Sequence, residues 1–110
     1  MRIFVEALTF QCIIGILEFE RVQPQDVIID LTIDYDYHPN EFINYADVAL
    51  LIQESMEKEK FLLLEDALEF LSAKLKEKFL KIDTLFLKIT KPSIMPNCRV
   101  SVAQSYTFNS

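Results

Sequence analysis

The chain has 110 residues, of which 51% are hydrophobic and 25% are charged, and its formal net charge is -6. This length and apolar content predict a single domain over residues 1–110 with one core. The acidic balance argues against a nucleic-acid partner, since the phosphate backbone is bound by clustered lysine and arginine. No apolar run approaches the roughly 20 residues of a membrane span and no signal-peptide pattern opens the sequence, so we expect a cytoplasmic protein without a membrane partner.

Two strands are predicted in the first third of the chain, joined by a long connector. Arg2 to Ile14 reads as the first strand, with a continuously apolar end. Asp26 to Tyr37 reads as the second, because apolar and polar residues alternate along it with the period of a half-buried strand. The connector from Gly15 to Gln25 is too long for a two-residue hairpin turn, and it contains the only glycine of the chain.

Two amphipathic helices are predicted next. The first runs from Ala46 to Lys58, and Asn44 with Asp47 predicts a capping box at its start. Its apolar residues recur every three or four positions, at Val48, Leu51, Ile52 and Met56. The second has an acidic start and a lysine-rich end, which suit the helix dipole. Its apolar stripe consists of Leu64, Leu68, Leu71, Leu75 and Phe79.

Two further strands close the chain. Leu85 to Thr90 alternates before Pro92, which cannot continue a ladder, and Val100 to Phe108 alternates as well. The order ββααββ predicts an α+β fold, in which a four-stranded antiparallel sheet carries both helices on one face. The open strand edges and the partly apolar opposite face favour association of several copies into a closed barrel.

The sequence gives little support for a metal site. Cys12 and Cys98 belong to no Cys-x-x-Cys pair and are expected to stay reduced and buried. His38 is the only histidine, so a zinc site built from histidine and cysteine clusters is not expected. Three aspartates share one face of the second predicted strand, where a solvated outer face is favoured over a cation site. We therefore expect neither a metal nor another cofactor.

Two charged residues border the predicted core. Extending the register of the third strand puts Lys91 on its apolar side, where it either snorkels to the surface or projects into a pocket. Snorkelling is the more ordinary interpretation, whereas a partly desolvated amine in a pocket could exchange protons near neutral pH. Glu65 lies at the opening turn of the second helix, where the dipole alone could account for it. If it faces a pocket, its two oxygens could accept paired donors from a planar, amidine-like edge.

Tyr45 and Glu20 are weaker candidates when each is taken alone. Tyr45 opens the first helix, where a tyrosine usually packs, and Glu20 lies in the connector, where a glutamate is usually solvated. Their significance depends on the other segments with which they occur.

Six short segments together resemble one family. They are Ile14-Gly15-Ile16-Leu17 with Glu20-Arg21 and Pro24-Gln25, then Tyr45, then Leu63-Leu64-Glu65, and then Thr90-Lys91-Pro92. In order and spacing, from about Phe4 to Tyr106, they are similar to the signatures of dihydroneopterin aldolases. No single segment is specific to the family, whereas the six in this order are.

The resemblance implies a fold and a reaction. The fold is of the tunnelling T-fold type, whose two-helix, four-stranded units assemble into a barrel as a homo-tetramer or a homo-octamer. The reaction is the cleavage of a small-molecule pterin, 7,8-dihydroneopterin, into 6-hydroxymethyl-7,8-dihydropterin and glycolaldehyde in folate biosynthesis. It would proceed by acid and base chemistry, without a metal or a Schiff base.

The resemblance also implies a role for each matching residue. Glu65, aided by the backbone of Leu64, would hold the 2-amino and N3–H edge of the pterin. Lys91 would be the catalytic proton donor and acceptor at the cleaved side chain, through a water that Glu20 also binds. Tyr45 of a neighbouring subunit would stack on the pterin and help to move a proton.

Some segments depart from the family pattern. Only residues 38–44 separate Tyr37 from Tyr45, which is fewer than usual, and Ala67-Leu68 inverts a usual leucine-alanine pair. The residues leave open whether the protein is the aldolase, an epimerase of dihydroneopterin or its triphosphate from the same family, or a pterin-binding oligomer without turnover. They also leave open the number of subunits and the preferred stereoisomer.

Overall fold

The computed structural model describes residues 1–108. Four strands form one antiparallel sheet in the order β1-β2-β3-β4, and two helices lie between β2 and β3 in the chain. The strands are β1 (Arg2–Cys12), β2 (Gln25–Tyr35), β3 (Ile82–Lys91) and β4 (Val100–Thr107). The helices are α1 (Tyr45–Glu59) and α2 (Leu64–Lys78), and a short 3-10 helix covers Glu18–Arg21. The predicted α+β order of elements is confirmed.

The core lies between the helices and one face of the sheet. α1 packs mainly over β1, and α2 packs over β3 and β4. Apolar rows cross the centre of the sheet on this face, and their members are 2% exposed or less: Ile29 with Ile89, Leu31 with Leu87, and Ile33 with Leu85. Burying a leucine or isoleucine contributes about 1.5–3 kcal/mol, so these rows and the helix stripes that cover them hold the two layers together.

The first strand contains a bulge that simple alternation does not predict. Its pairing with β2 shifts between Val5 and Leu8, and Ala7 adopts a positive φ of 55°. The N–H of Ala7 donates to the Asp30 carboxylate at 2.9 Å. Because one extra residue reverses the side-chain alternation, Val5 and Leu8 both pack against the core although they are three positions apart. The signal in the sequence is the change of apolar residues from odd to even positions.

The strand ends differ from the predictions where the chain turns. β1 ends at Cys12 instead of Ile14, because the chain leaves the sheet to enter the connector. β2 ends at Tyr35, so Tyr37 lies beyond the strand and is 45% exposed instead of facing the core. β3 is longer than predicted at both ends, and β4 ends one residue before Phe108.

The helices match their predictions closely. α1 extends one residue beyond the prediction at each end, and it begins where Asn44 Oδ1 accepts the N–H of Ala46 at 2.9 Å. Asn44 caps the helix alone, since the Asp47 side chain makes no hydrogen bond within residues 1–108. α2 ends at Lys78, and Phe79 follows as a partly buried cap residue. Neither helix is long and apolar enough to cross a membrane.

The face of the sheet without helices carries hydrogen-bonded polar groups. Asp34 accepts from Arg2 Nε at 2.7 Å and from the Thr84 hydroxyl at 2.6 Å, and Asp30 accepts from the bulge. Two of the aspartates that we expected on a solvated face are therefore partly buried acceptors. β1 and β4 form the two edges of the sheet, so one side of each strand has no partner strand within the described subunit.

Candidate active site

The connector between β1 and β2 turns at Gly15. Its φ of +124° is a conformation that L side chains rarely adopt, and its N–H donates to the carbonyl of Phe61 at 3.0 Å. A Cβ atom added here would overlap the carboxyl group of Glu20. Glycine is therefore required both for the backbone turn and for the space that the carboxylate occupies.

Glu20 lies in the 3-10 helix after this turn and is only 3% exposed. Its Oε1 accepts the N–H of Leu17 at 3.1 Å. Its Oε2 accepts from Gln25 Nε2 and from Lys91 Nζ, each at 2.8 Å. Gln25 Nε2 also donates to the carbonyl of Ile14 at 2.8 Å. The expectation of a solvated loop glutamate is wrong, because three donors hold the carboxylate inside the protein.

The charge of Glu20 is maintained despite its burial. Burial is the largest single influence and raises the pKa of the carboxyl. The hydrogen bonds from Lys91, Gln25 and Leu17, together with the positive charge of Lys91, outweigh it and hold that pKa below its usual value. The carboxylate is thus ionised at neutral pH.

Lys91 is the last residue of β3 and continues the register of the buried Leu87 and Ile89. Its side chain is only 12% exposed, and the amine turns to Glu20 instead of snorkelling into solvent. A buried ion pair is weak support for stability, because desolvation of both groups offsets much of their attraction. The Glu20–Lys91 pair is therefore a candidate for a functional site.

A thiol near this pair is not a nucleophile. Cys12 is buried at the end of β1, and burial raises the pKa of its thiol to about 11; the charge of Glu57 adds to this rise and that of Lys91 opposes it. The thiol is protonated at neutral pH and does not react as a thiolate. Cys98 is also a free thiol but is exposed in the turn between β3 and β4, so the expectation that both cysteines are buried is wrong for Cys98.

Glu65 borders a shallow cleft between α2 and β4. Leu64, the first residue of α2, is 6% exposed, whereas Glu65 points away from the core and is exposed. The cleft has a volume of about 190 Å³, and Val102, Gln104 and Tyr106 of β4 line its other side. The glutamate thus lies beside an opening that has both apolar and polar walls.

The cleft and the Glu20–Lys91 pair lie along the same strand. Lys91 pairs directly with Val100 across β3 and β4, and Val102, two residues further along β4, lines the cleft. Two residues of a strand span about 7 Å, so Val102 lies about 7 Å along β4 from the position that pairs with Lys91. β4 is an edge of the sheet, so no further strand lies beside this region within residues 1–108.

Tyr45 is not close to these groups in one subunit. It is the first residue of α1 and is 67% exposed. Gly15, which adjoins Glu20, contacts Phe61 just beyond the other end of α1. A 15-residue helix is about 20 Å long, so Tyr45 and the Glu20–Lys91 pair lie at opposite ends of α1. The fold brings Glu20 and Lys91 together within the described subunit, and it does not bring Tyr45 to them.

Sequence reasoning assigned no role to Gln25 or Arg21, although both occur in the segments that resemble the family. Gln25 begins β2 on the same side as the buried Val27 and Ile29, and an amide on the apolar side of a strand needs a hydrogen-bond partner. This position is the signal that could have identified it. Within residues 1–108, the hydrogen bonds of the Arg21 side chain all go to backbone carbonyls, which no sequence pattern indicates.

Comparison with known proteins identifies the family. The family model described as FolB, dihydroneopterin aldolase, matches residues 3–105. The chain belongs to the dihydroneopterin aldolase family. Enzymes of this family are lyases, so the chain is assigned to the aldolases, as the six short segments predict.

Solved structures share the fold of the family member described here. A Vibrio cholerae protein described as a dihydroneopterin aldolase is 24% identical, with 98% of each chain covered and a TM-score of 0.90. The Escherichia coli dihydroneopterin aldolase in complex with neopterin is 22% identical, with 96% of this chain and 98% of that chain covered and a TM-score of 0.86. A urate oxidase variant from Bacillus sp. TB-90 is 9% identical, with 97% of this chain and 47% of that chain covered and a TM-score of 0.79. These likenesses establish the tunnelling T-fold. Comparison with curated protein sequences gives no match.

Proposed function

We propose that this aldolase cleaves 7,8-dihydroneopterin into 6-hydroxymethyl-7,8-dihydropterin and glycolaldehyde. Membership of the family supports the reaction class. The observation that carries the proposal is the buried Glu20–Lys91 pair, in which an ionised carboxylate contacts an amine at 2.8 Å beside the cleft of Glu65. An amine and a carboxylate in contact are suited to move protons without a metal.

The proposed chemistry consists of two proton transfers. A base first removes the proton from a side-chain hydroxyl, the carbon–carbon bond breaks, and glycolaldehyde leaves while the electron pair remains in the pterin. The enamine-like intermediate then takes up a proton at carbon, so the one proton removed from the substrate is replaced by one proton in the product. We assign these transfers to Lys91, acting through a water that Glu20 also binds, because Lys91 is largely removed from solvent and oriented by Glu20.

Recognition of the ring is assigned to Glu65 and the backbone of Leu64. Two carboxylate oxygens can accept the paired N–H groups of the pterin edge, a bidentate arrangement that fixes the orientation of the ligand. The exposure of Glu65 at the mouth of the cleft is consistent with this role. The neopterin held by the E. coli relative supports a pterin as the ligand class.

The proposed site also requires a second copy of the chain. Tyr45 would come from a neighbouring subunit and stack on the pterin, because within its own subunit Tyr45 and the Glu20–Lys91 pair lie at opposite ends of α1, which is about 20 Å long. The two free strand edges favour such an assembly, which we propose to be a barrel-shaped homo-tetramer or homo-octamer. Residues 1–110 would act as one domain of this assembly, in the cytoplasm.

The test is incubation of the purified protein with dihydroneopterin and, separately, with its triphosphate, followed by chromatographic separation of the products. We expect 6-hydroxymethyl-7,8-dihydropterin and glycolaldehyde in equal amounts, unchanged by a chelator such as EDTA. Formation of an epimer alone would favour the epimerase, and pterin binding without any product would favour a binding oligomer. Either result, or loss of activity with the chelator, would contradict the proposal.

A further inference from the structure

Arg21 connects two loops through their backbones. Its Nη1 donates to the carbonyl of Gly15 at 3.1 Å and to that of Phe61 at 3.2 Å. Its Nη2 donates to the carbonyl of Lys60 at 2.9 Å. All three acceptors are main-chain oxygens, so these contacts fix the paths of two backbone segments and do not form an ion pair.

The first segment that Arg21 holds follows the end of α1. Lys60 ends the helix in a left-handed conformation with φ 48°, and the carbonyls of a helix end carry a partial negative charge. A guanidinium is suited to this position, because its planar fork of donors can bind several carbonyls together. The N–H of Gly15 donates to the same Phe61 carbonyl at 3.0 Å, which adds a direct link between the two segments.

The two segments lead to different parts of the candidate site. The first continues from Phe61 to Leu64 and Glu65 at the start of α2. The second, from Gly15 to Arg21, holds Glu20 and thereby the amine of Lys91. We propose that Arg21 is a positioning residue that fixes the distance between the ring-binding Glu65 and the Glu20–Lys91 pair. This inference rests on the proposed function.

The reaction would be sensitive to this distance. The pterin ring is rigid and its side chain is short, so the ring edge and the cleaved bond reach both groups only if the two segments keep their spacing. A misplacement of about 1 Å by a change remote from the reacting atoms can reduce turnover about 100-fold. A lysine at position 21 would supply one compact charge in place of the fork, and could not hold Gly15, Lys60 and Phe61 together.

The test compares Arg21→Ala and Arg21→Lys with Arg2→Ala as the matched control, since Arg2 pairs with Asp34 on the helix-free face. With dihydroneopterin as substrate, we expect kcat to fall about 10- to 100-fold in Arg21→Ala, with folded protein retained. We expect kcat of Arg21→Lys to exceed that of Arg21→Ala by less than tenfold, and free guanidinium to restore part of the activity of Arg21→Ala. We expect no change of kcat in Arg2→Ala. If Arg21 served only to cap α1, Arg21→Ala would lower the unfolding midpoint and leave kcat of the folded fraction unchanged. That result would overturn the inference.

A measurement without substrate separates this inference from the proposed function. The amide of Gly15 should exchange its hydrogen faster in Arg21→Ala than in wild type, because the segments it links would separate. Unchanged exchange would count against the link itself. Failure of the wild-type protein to cleave dihydroneopterin would instead count against the proposed function. If Arg21→Ala does not fold, Arg21→Lys gives the same two readouts.

Discussion

Glu20 Oε2 and Lys91 Nζ are 2.8 Å apart, although 71 positions separate the two residues in the chain. Lys91 reaches this point because β3 pairs antiparallel with β2 and ends beside the connector that precedes β2. Glu20 reaches it because the connector turns at Gly15 and forms a helical turn. The geometry of the pair therefore depends on the register of the sheet and on one turn.

Lys91→Ala is expected to reduce kcat by about 100- to 10,000-fold, the usual contribution of a general acid or base. Pterin binding should remain detectable, because the ring would be held by Glu65. Steady-state kinetics with dihydroneopterin and a fluorescence titration of the pterin would measure the two effects. Lys88→Ala, on the opposite side of the same strand, is the control and should retain activity. Equal activity of Lys91→Ala and wild type would disprove the catalytic assignment.

Glu65→Ala is expected to weaken pterin binding itself. Hydrogen bonds to a charged group contribute about 1.5–3 kcal/mol, so the dissociation constant should rise roughly 10- to 100-fold. Isothermal titration with neopterin would measure it. Asp66→Ala removes an acidic side chain from the same helical turn but not from the cleft, and should bind as wild type does. Unaltered binding by Glu65→Ala would rule out its role at the ring edge.

Mixing of two inactive variants tests whether Tyr45 acts across subunits. Tyr45→Ala and Lys91→Ala each remove one part of the proposed site, so each should be nearly inactive alone. When the two are coexpressed, some sites would receive Tyr45 from one chain and Lys91 from the other, and activity should return. The assay is product formation by the mixed oligomers, with each variant expressed alone as the control. No recovery in verified mixed oligomers would mean that Tyr45 and Lys91 act within one chain, or not together.

Gly15→Ala is expected to lower both stability and activity. The new Cβ would strain a backbone at φ +124° and overlap the Glu20 carboxyl, and such strain costs on the order of 1–3 kcal/mol. Urea unfolding and kcat would measure the two losses. In a Glu20→Ala background the overlap disappears, so Gly15→Ala should cost less stability there. An equal cost in both backgrounds would mean that the carboxylate does not determine the need for glycine.

Acidification should remove a part of the stability that depends on Glu20. The folded state holds the pKa of this carboxyl below its usual value of 4.5, so the unfolded state binds the proton more readily. This contribution is therefore fully present above about pH 4.5 and is lost as the pH falls through the folded pKa. Urea unfolding of wild type and Glu20→Gln should give different free energies of unfolding at pH 7, and the difference should shrink as the pH falls below about 4.5. Glu18→Gln, exposed in the same turn, is the control, and a constant difference at all pH values would contradict the prediction.

The sequence was sufficient to predict the elements of this fold, because each has a regular apolar period. The alternation in β2 and the leucine stripe of α2 both match buried faces. The bulge at Ala7 was missed, since it interrupts the period that is used to recognise a strand. The Asn44 cap was predicted because it depends on local residues only.

The candidate site was less accessible to sequence reasoning from the residues alone. The burial of Glu20 depends on contacts with Gln25 and Lys91, which come from other elements. A position in a connector normally predicts exposure, so the local signal was misleading. The resemblance to the family selected Glu20 and Lys91 together, and the fold brings them into contact, whereas the roles of all four residues, Glu20, Tyr45, Glu65 and Lys91, stay predictions.

The additional residue at Ala7 keeps the two halves of an edge strand in phase with a single core. Deleting it would leave Val5 and Leu8 two positions apart, so Leu8, Phe10 and Cys12 would keep facing the core and would pair with the same residues of β2. Inserting one more residue there would instead rotate these three side chains outward, because it reverses the alternation again. Gly15 continues from this half of the strand, so a one-residue insertion in β1 would displace its turn, and the carboxylate of Glu20 with it, without altering Glu20 or Lys91.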